Sequence, residues 1–454
     1  MNENRNDIGG PYAAFRYAAF RRYAGSNALF NLGRHALVVA IALQITEWTN
    51  SAAAIGFIGF INVAPLLAFF LPAGVLADRV DKRKIITFTS GLSCLFSILL
   101  LLCTVVPVPD ADILRGANGV IRDIALFFTA SENHAKIHFD NPALPLVFLL
   151  QFCHATVRVF SSPARVSIIP LLVPHNHLSG ALSWNASAFQ LTAVIGPLFG
   201  GLLAANGGFS IVYAFDAVFS AALALSFAGI KLIGEQKEKQ KENVGMDASN
   251  ALAGVAFIFR HKPVLAAISL DLFAVLLGGL TALFPLFARD VLQGDATVAG
   301  LLYAAAPLGA VVMAFIIAHL PQFRRPGVVL LWSVACFGGT LLAFACSRNL
   351  ALSLAALFAS GMCDHVSVVI RHTLVQLLTP ELLRGRVTAV NQLFVGSSNE
   401  ISELRGGLMA ARYGPVGAAT IGSICTLCVV AGVALALPSL RTVPPLDKLK
   451  PAEE

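Results

Sequence analysis

Charge is what this 454-residue sequence has least of. Asp, Glu, Lys and Arg make up 13% of it and 57% is hydrophobic, whereas a soluble domain carries roughly 25% charged residues. That shortage excludes a soluble protein built on one core. The net charge of +7 does not indicate nucleic acid, because the basic residues form short clusters between apolar runs, not one basic surface. The eight cysteines all lie in or at the ends of apolar runs. Cys425 and Cys428 have C-x-x-C spacing, but in the lipid-like context I-C-T-L-C-V-V, which excludes a metal or redox site. A Walker motif is missing, and so is any cluster of nucleophile, base or metal ligands at one depth. Neither covalent chemistry nor a cofactor is expected. The start, M-N-E-N-R-N-D, lacks a short apolar stretch with a cleavage site, so the first apolar segment is expected to be retained.

What remains is long apolar runs. They give twelve spans, at about 28–48, 54–77, 85–106, 144–160, 180–204, 209–232, 264–287, 298–320, 328–346, 350–370, 387–412 and 416–437. The expected fold class is an all-α polytopic membrane protein. Residues 1–26 form a basic, aromatic arm suited to the inner membrane surface. Residues 107–143 are too polar to span and form an external insertion, in which 121–128 suits a short interfacial helix. Residues 234–250 alternate in charge and read as a linker between an N-terminal unit, 1–233, and a C-terminal unit, 251–437, with a polar tail at 438–454. With both termini in the cytoplasm, 22 of the 32 Lys and Arg fall inside and six outside, which fixes the expected orientation.

Two stretches carry more information. Residues 74–84 read G-V-L-A-D-R-V-D-K-R-K, a basic hinge between spans 2 and 3. In it Gly74 gives a helix end room to approach a neighbour, and Asp78 is a carboxylate at a helix boundary. Arg79 and Arg83 hold that boundary at the inner surface, or pair with nearby carboxylates. The plain alternative is a positive-inside anchor. Residues 165–185 and 371–391 share an arginine, a Leu-Leu pair, a proline and a final asparagine at an offset of 206. Arg83-Lys84 matches Arg324-Arg325 at an offset of 241, and the 35-residue difference is close to the length of the insertion. The chain therefore reads as a duplicated six-span unit.

On these residues, and on D-H-V-S-V-V-I-R, R-G-R-V-T-A-V-N and S-N-E-I-S-E within 364–403, the chain resembles the major facilitator superfamily. The subgroup it is most similar to includes the enterobactin exporter and macrolide-efflux proteins. The resemblance implies twelve helices as two six-helix pseudo-repeats, and a gate that involves Gly74 and Asp78; Arg79, Arg83 and Arg386 are read as gating residues with them, and Asp364 and Arg371 as structural or gating. It implies a substrate cavity lined by spans 1, 4, 7 and 10 and parts of 2, 5, 8 and 11. The insertion, Arg405 and the Arg34-His35 pair depart from the subgroup.

Charges inside spans need a cavity or a partner. Glu400 and Glu403, three residues apart, share one helix face. Facing a dry cavity they resist double ionisation, so one of them suits a proton carrier; the alternative is pairing with another span. Asp271 suits a cavity-facing carboxylate or an interhelix hydrogen bond. Asp364 and Arg371 lie two turns apart on one face and read as a pair. Arg34 and Arg158 snorkel to the interface, or face Asp78 or an anionic substrate. Gln44 and Glu47 of span 1 are read with these residues as proton-coupling or cavity groups, with an interfacial role at the outer end of the span as the alternative for Glu47, and Asp216 reads as structural.

The expected function is a secondary exporter of the bacterial inner membrane. It would alternate between inward- and outward-facing states and exchange protons for an amphipathic drug or siderophore. A monomer is expected, because a cavity between two pseudo-equivalent halves needs no partner subunit. The alternatives are a lysophospholipid transporter or a solute importer on the same fold, a membrane-bound enzyme, and a non-transporting sensor.

Overall fold

The computed structural model describes residues 12–130, 134, 137–227, 255–321 and 323–445. The expected linker at 234–250 lies outside them, as do the first residues of the basic arm and the end of the tail. The helices are α1 (Ala18–Thr49), α2 (Ala52–Arg79), α3 (Lys82–Val105), α4 (Asp112–Phe128), α5 (Leu144–Ser167), α6 (Leu178–Gly207), α7 (Phe209–Ser226), α8 (Lys262–Gly278), α9 (Ala296–His319), α10 (Pro326–Cys346), α11 (Leu350–Leu378) and α12 (Glu381–Ala436). Among the described residues no strand occurs. Eleven helices among the described residues are long and apolar enough to cross a bilayer, and α12 contains two spans, broken at Gly414 (φ 72°, ψ 166°) and Pro415.

Local chemistry sets the boundaries. Asn50 ends α1 in the left-handed region, with φ 50°. The Ser51 hydroxyl accepts from Ala54 N at 3.3 Å and starts α2. Asp81 caps α3 through Arg83 N at 2.9 Å, and Asp295 caps α9 through Thr297 N at 3.0 Å. Each cap satisfies amide groups that the first helical turn leaves open.

Two elements differ from the expectation. Within the insertion the helix is longer than 121–128 and begins at Asp112. One side of α4 buries Ala125 and Asn118, whose Nδ2 donates to Asn141 O at 2.8 Å. A second side leaves Ile113, Val120, Ile124 and Phe127 exposed. The seventh span is not one helix. It stops at Gly278, resumes as a 3-10 turn at Thr281–Leu283, and ends in a π-turn at Phe287–Val291.

Before the linker, α1 packs on α6 and α7, and α5 packs on α2 and α3. After it, α9 packs on α11, and α12 packs on α8 and α10. The two most extensive contacts between the groups are α2 with α12 and α6 with α9. Both are made by glycines: a Cβ on Gly56 would stand 3.0 Å from Gly407 Cα, and one on Gly201 would stand 2.9 Å from Gly300 Cα. Small residues let membrane helices approach closely enough for dispersion to hold them. Both contacts lie toward the end of the bundle that carries the insertion. There a single apolar cluster joins residues of both groups, from Ile41 and Ile55 to Phe287 and Ala411. Toward the end that carries the 79–84 loop the core is split. One cluster there holds only N-terminal residues, such as Phe20 and Ile169, and two hold only C-terminal ones.

Candidate functional site

The split core leaves a cavity of about 800 Å³ between the two groups of helices. Its lining reaches from Leu280 and Pro307, halfway along the bundle, to Tyr23 and Arg165 near the basic end. The contacts at the insertion end close it on the other side. Phe189, Phe284 and Phe337 supply aromatic surface, and Asn27, Asn31, Asn185, Arg165 and Asp364 supply polar groups. The break in the seventh span faces this cavity through Gly279, Leu280 and Thr281.

An ion pair ties the two groups together. Arg158 Nη2 on α5 lies 2.8 Å from Glu400 Oε1 on α12. The side chains are 30% and 14% exposed, so solvent screens the pair only in part. Glu403, one turn further along α12, is half-buried where α12 meets Gly59 of α2. It has no hydrogen bond or ion pair among the described residues. Neither carboxylate lines the large cavity, and Glu400 takes the alternative of pairing with another span.

A second ion pair is fully internal. Arg371 Nη1 on α11 lies 2.8 Å from Asp271 Oδ2 on α8, with the side chains 2% and 5% exposed. This replaces the expected Asp364–Arg371 pair. Asp364 is left lining the cavity with no hydrogen-bond or ion-pair partner among the described residues. The matched arginine at position 165 makes the corresponding reach within its own group. Its Nη1 lies 3.4 Å from Asn27 Oδ1 and 3.3 Å from Asn31 Oδ1 of α1, and its guanidinium sits 4.7 Å above the Phe30 ring. So the offset of 206 relates two arginines that both anchor the first helix of their group. One does so on a carboxylate and the other on amides.

Arg34 does not reach the interface: its Nε is buried without a hydrogen-bond partner, and its guanidinium lies 5.9 Å from the Phe189 ring. Behind it a buried chain joins three helices. Ser97 donates to Asp216 at 2.5 Å and lies 3.3 Å from His154 Nε2. Gln44 is fully buried and takes no part in the cavity, because it accepts from Tyr213 and its Nε2 approaches Thr104 at 3.4 Å. Glu47 is exposed in a separate pocket at the insertion end, near Arg289 and Asp295. Both are corrections to their reading as cavity residues.

At the 79–84 loop, Asp78 and Arg79 are exposed, and a Cβ on Gly74 would meet nothing within 4 Å. The close approach expected at Gly74 is therefore absent here. Arg83 is engaged by Asp81, with Nη2 to Oδ2 at 3.0 Å. The Arg83 guanidinium beside Asp81 holds that carboxyl below the ordinary carboxylate range. Arg386 is half-buried on the first turns of α12. Sequence reasoning missed Asp81 and Arg165 as partners and missed what Arg405 does. Arg405 Nε donates to Leu276 O at 2.9 Å and Nη2 to Gly279 O at 3.2 Å, the carbonyls freed where the seventh span breaks. The Gly278-Gly279 pair in an otherwise apolar span was the available signal.

Residues 24–403 match the sequence model of the Major Facilitator Superfamily. Over 440 residues the chain is 25% identical to the enterobactin exporter EntS of Shigella boydii serotype 18 (strain CDC 3083-94 / BS512), covering 95% of this chain and 93% of that one. The identity and coverage are the same for the enterobactin exporter EntS of Escherichia coli O139:H28. Among solved structures it is similar to a bacterial homolog of the human lysosomal transporter Spinster in an inward-facing and occupied conformation. The TM-score there is 0.65 at 14% identity, covering 95% of this chain and 97% of that one. A D-xylose–proton symporter gives a TM-score of 0.66 at 11% identity, covering 94% and 100%.

Proposed function

This chain belongs to the major facilitator superfamily, and on that premise we propose that it is a proton-coupled exporter of an amphipathic small molecule across a bacterial inner membrane. The observation that carries this reading is the cavity, open toward the basic end and closed at the insertion end, with the Arg158–Glu400 ion pair bridging the two groups of helices. The excess of Lys and Arg assigns the basic end to the cytoplasm, so the state described is inward-facing and ready to load cargo from inside. The similarity to enterobactin exporters supports export over import and a siderophore as a cargo class; a hydrophobic drug has the same amphipathic character.

The charges suggest how a proton is coupled. In the inward-facing state Glu400 is paired with Arg158. Outward opening separates α5 from α12 and leaves Glu400, beside Glu403, without its cation. Two neighbouring carboxylates in a dry site favour taking up one proton. On return, Arg158 reclaims the carboxylate and the proton leaves to the cytoplasm. Asp78 and Arg79, exposed here, close the cytoplasmic end in the opposite state, with Arg386 on the facing side of that end.

The test uses the purified chain in sealed proteoliposomes with a proton gradient and a pH-sensitive dye. Macrolides, cationic dyes and catecholate siderophores are added in turn. Proton flux on addition of one class, abolished in E400Q, is expected. Flux that persists undiminished in both E400Q and E403Q defeats the coupling reading.

A further inference from the structure

The two walls of the cavity differ in charge. On the C-terminal side stand two carboxylates, Asp271 and Asp364, and one guanidinium, Arg371. Arg371 is paired with Asp271 at 2.8 Å, so Asp364 has no ion-pair partner of its own among the described residues. On the N-terminal side Arg165 has no carboxylate partner among the described residues: it meets the Asn27 and Asn31 amides, the Phe30 ring, and Tyr23, whose hydroxyl donates to the Arg165 carbonyl at 2.7 Å, while Arg34 and Arg158 line a pocket with it and add to the positive charge of this wall. Its Nε is buried and unbonded. His365, next to Asp364, lines the same space. The walls thus present one net negative and one net positive site across an aromatic interior.

The internal repeat sets the same residues side by side. The offset of 206 that matches Arg165 with Arg371 also matches Arg158 with Asp364. Arg158 has a partner across the cavity roof, Glu400, whereas Asp364 has none. A half-buried charge without a partner destabilises the protein unless something supplies the opposite charge. A cargo bearing one charge satisfies one wall and leaves the other unpaired. A cargo bearing both signs satisfies both, and a site with charged groups to satisfy rejects molecules that lack the complementary groups.

We propose that Asp364 and Arg165 are the two charge-recognition points of the cavity, and that its cargo is a zwitterionic amphiphile. A cationic ammonium or guanidinium group sits at Asp364, an anionic group at Arg165, and an aromatic or apolar body against Phe189, Phe284 and Phe337. This rests on the reading of the cavity as the substrate site.

The experiment is a fluorescence titration of the full chain in nanodiscs, which needs neither transport nor a gradient. Three matched probes differ only in charge: Nα-dansyl-lysine carries both signs, dansylcadaverine lacks the carboxylate, and dansyl-norleucine lacks the ammonium. Nα-dansyl-lysine is expected to bind about tenfold more tightly than either of the others, as one charge-assisted contact predicts. D364N removes its advantage over dansyl-norleucine and leaves dansyl-norleucine itself unchanged. R165Q removes its advantage over dansylcadaverine. D364E, which keeps the sign of the charge, retains the preference and guards against a folding artefact. Equal binding of all three probes, or equal losses for charged and uncharged ends in D364N, overturns the proposal while the cavity stands as a ligand site. No binding of any probe to the wild type overturns the proposal together with the reading of the cavity as the substrate site.

Discussion

A carboxylate inside a bilayer needs a cation or a proton, and Glu400 has the first in Arg158. E400Q leaves that guanidinium facing an amide, and R158Q leaves the carboxylate alone, so each should lower transport severely. The exchange R158E with E400R restores the pair and should recover part of the rate in the same proteoliposome assay; no recovery means the pair does more than attract. Asp271 and Arg371 differ in kind, being buried and within one group of helices. D271N strands a buried guanidinium and should cost about 3–5 kcal/mol in a thermal or denaturant melt, whereas replacing both residues with apolar ones should cost far less. The Asp81 cap gives a pH test outside the spans. Its carboxyl is held below the ordinary range by Arg83, so its contribution is complete above the ordinary value of about 3.9 and fades as pH falls through the lowered one. D81A should therefore lose about 1 kcal/mol at neutral pH and converge on the wild type in strong acid. At this scale the sequence revealed which residues carry charge in the spans but not whom they meet. Spacing reports only neighbours on one helix face, which is why Asp364 was paired with Arg371. The true contacts join residues as far apart as 242 positions.

Span positions were legible because an apolar run of bilayer length, repeated along a chain so poor in charge, fits a membrane crossing and little else. The break in the seventh span was not, because its residues are as apolar as a continuous helix and the group that stabilises it comes from α12. Arg405, a departure from the subgroup pattern, takes the Leu276 and Gly279 carbonyls at 2.9 and 3.2 Å. A lysine offers one compact ammonium where arginine offers a planar fork. R405L should therefore loosen the break most and R405K less. Hydrogen exchange at residues 276–283 should rise in that order, with a loss of about 1–3 kcal/mol for each carbonyl left buried and unbonded. Unchanged exchange in R405L would mean the break is held by the packing of Ser402 and Thr426 against the glycine pair.

For the molecule as a whole, the decisive asymmetry is one apolar cluster joining both groups at the insertion end and separate clusters at the basic end. The duplicated motifs announced two related units, but no sequence pattern says which end is closed, since both states are built from the same residues. The glycine contact between α2 and α12 makes the closed end testable. A Cβ placed on Gly407 would stand 2.5 Å from Gly56 N and 2.7 Å from Ala52 O, so a valine at 407 has no room, and closure at the insertion end becomes costly. The alternative available to the chain is to open there and close at the basic end, where Asp78 then finds its partners. Asn185 lines the cavity, so N185C reports on access from the cytoplasmic face. A membrane-impermeant maleimide added to that face should label N185C readily, and G407V should slow the labelling about tenfold if it shifts the balance far enough to make the inward-facing state a one-in-ten minority, a shift of about 2.7 kcal/mol from a nine-to-one excess. D78N should do the opposite, because it weakens only the state in which the basic end is closed. If G407V lowers the melting temperature but leaves labelling unchanged, the glycine contact is packing alone and the outer gate lies elsewhere, at α6 and α9.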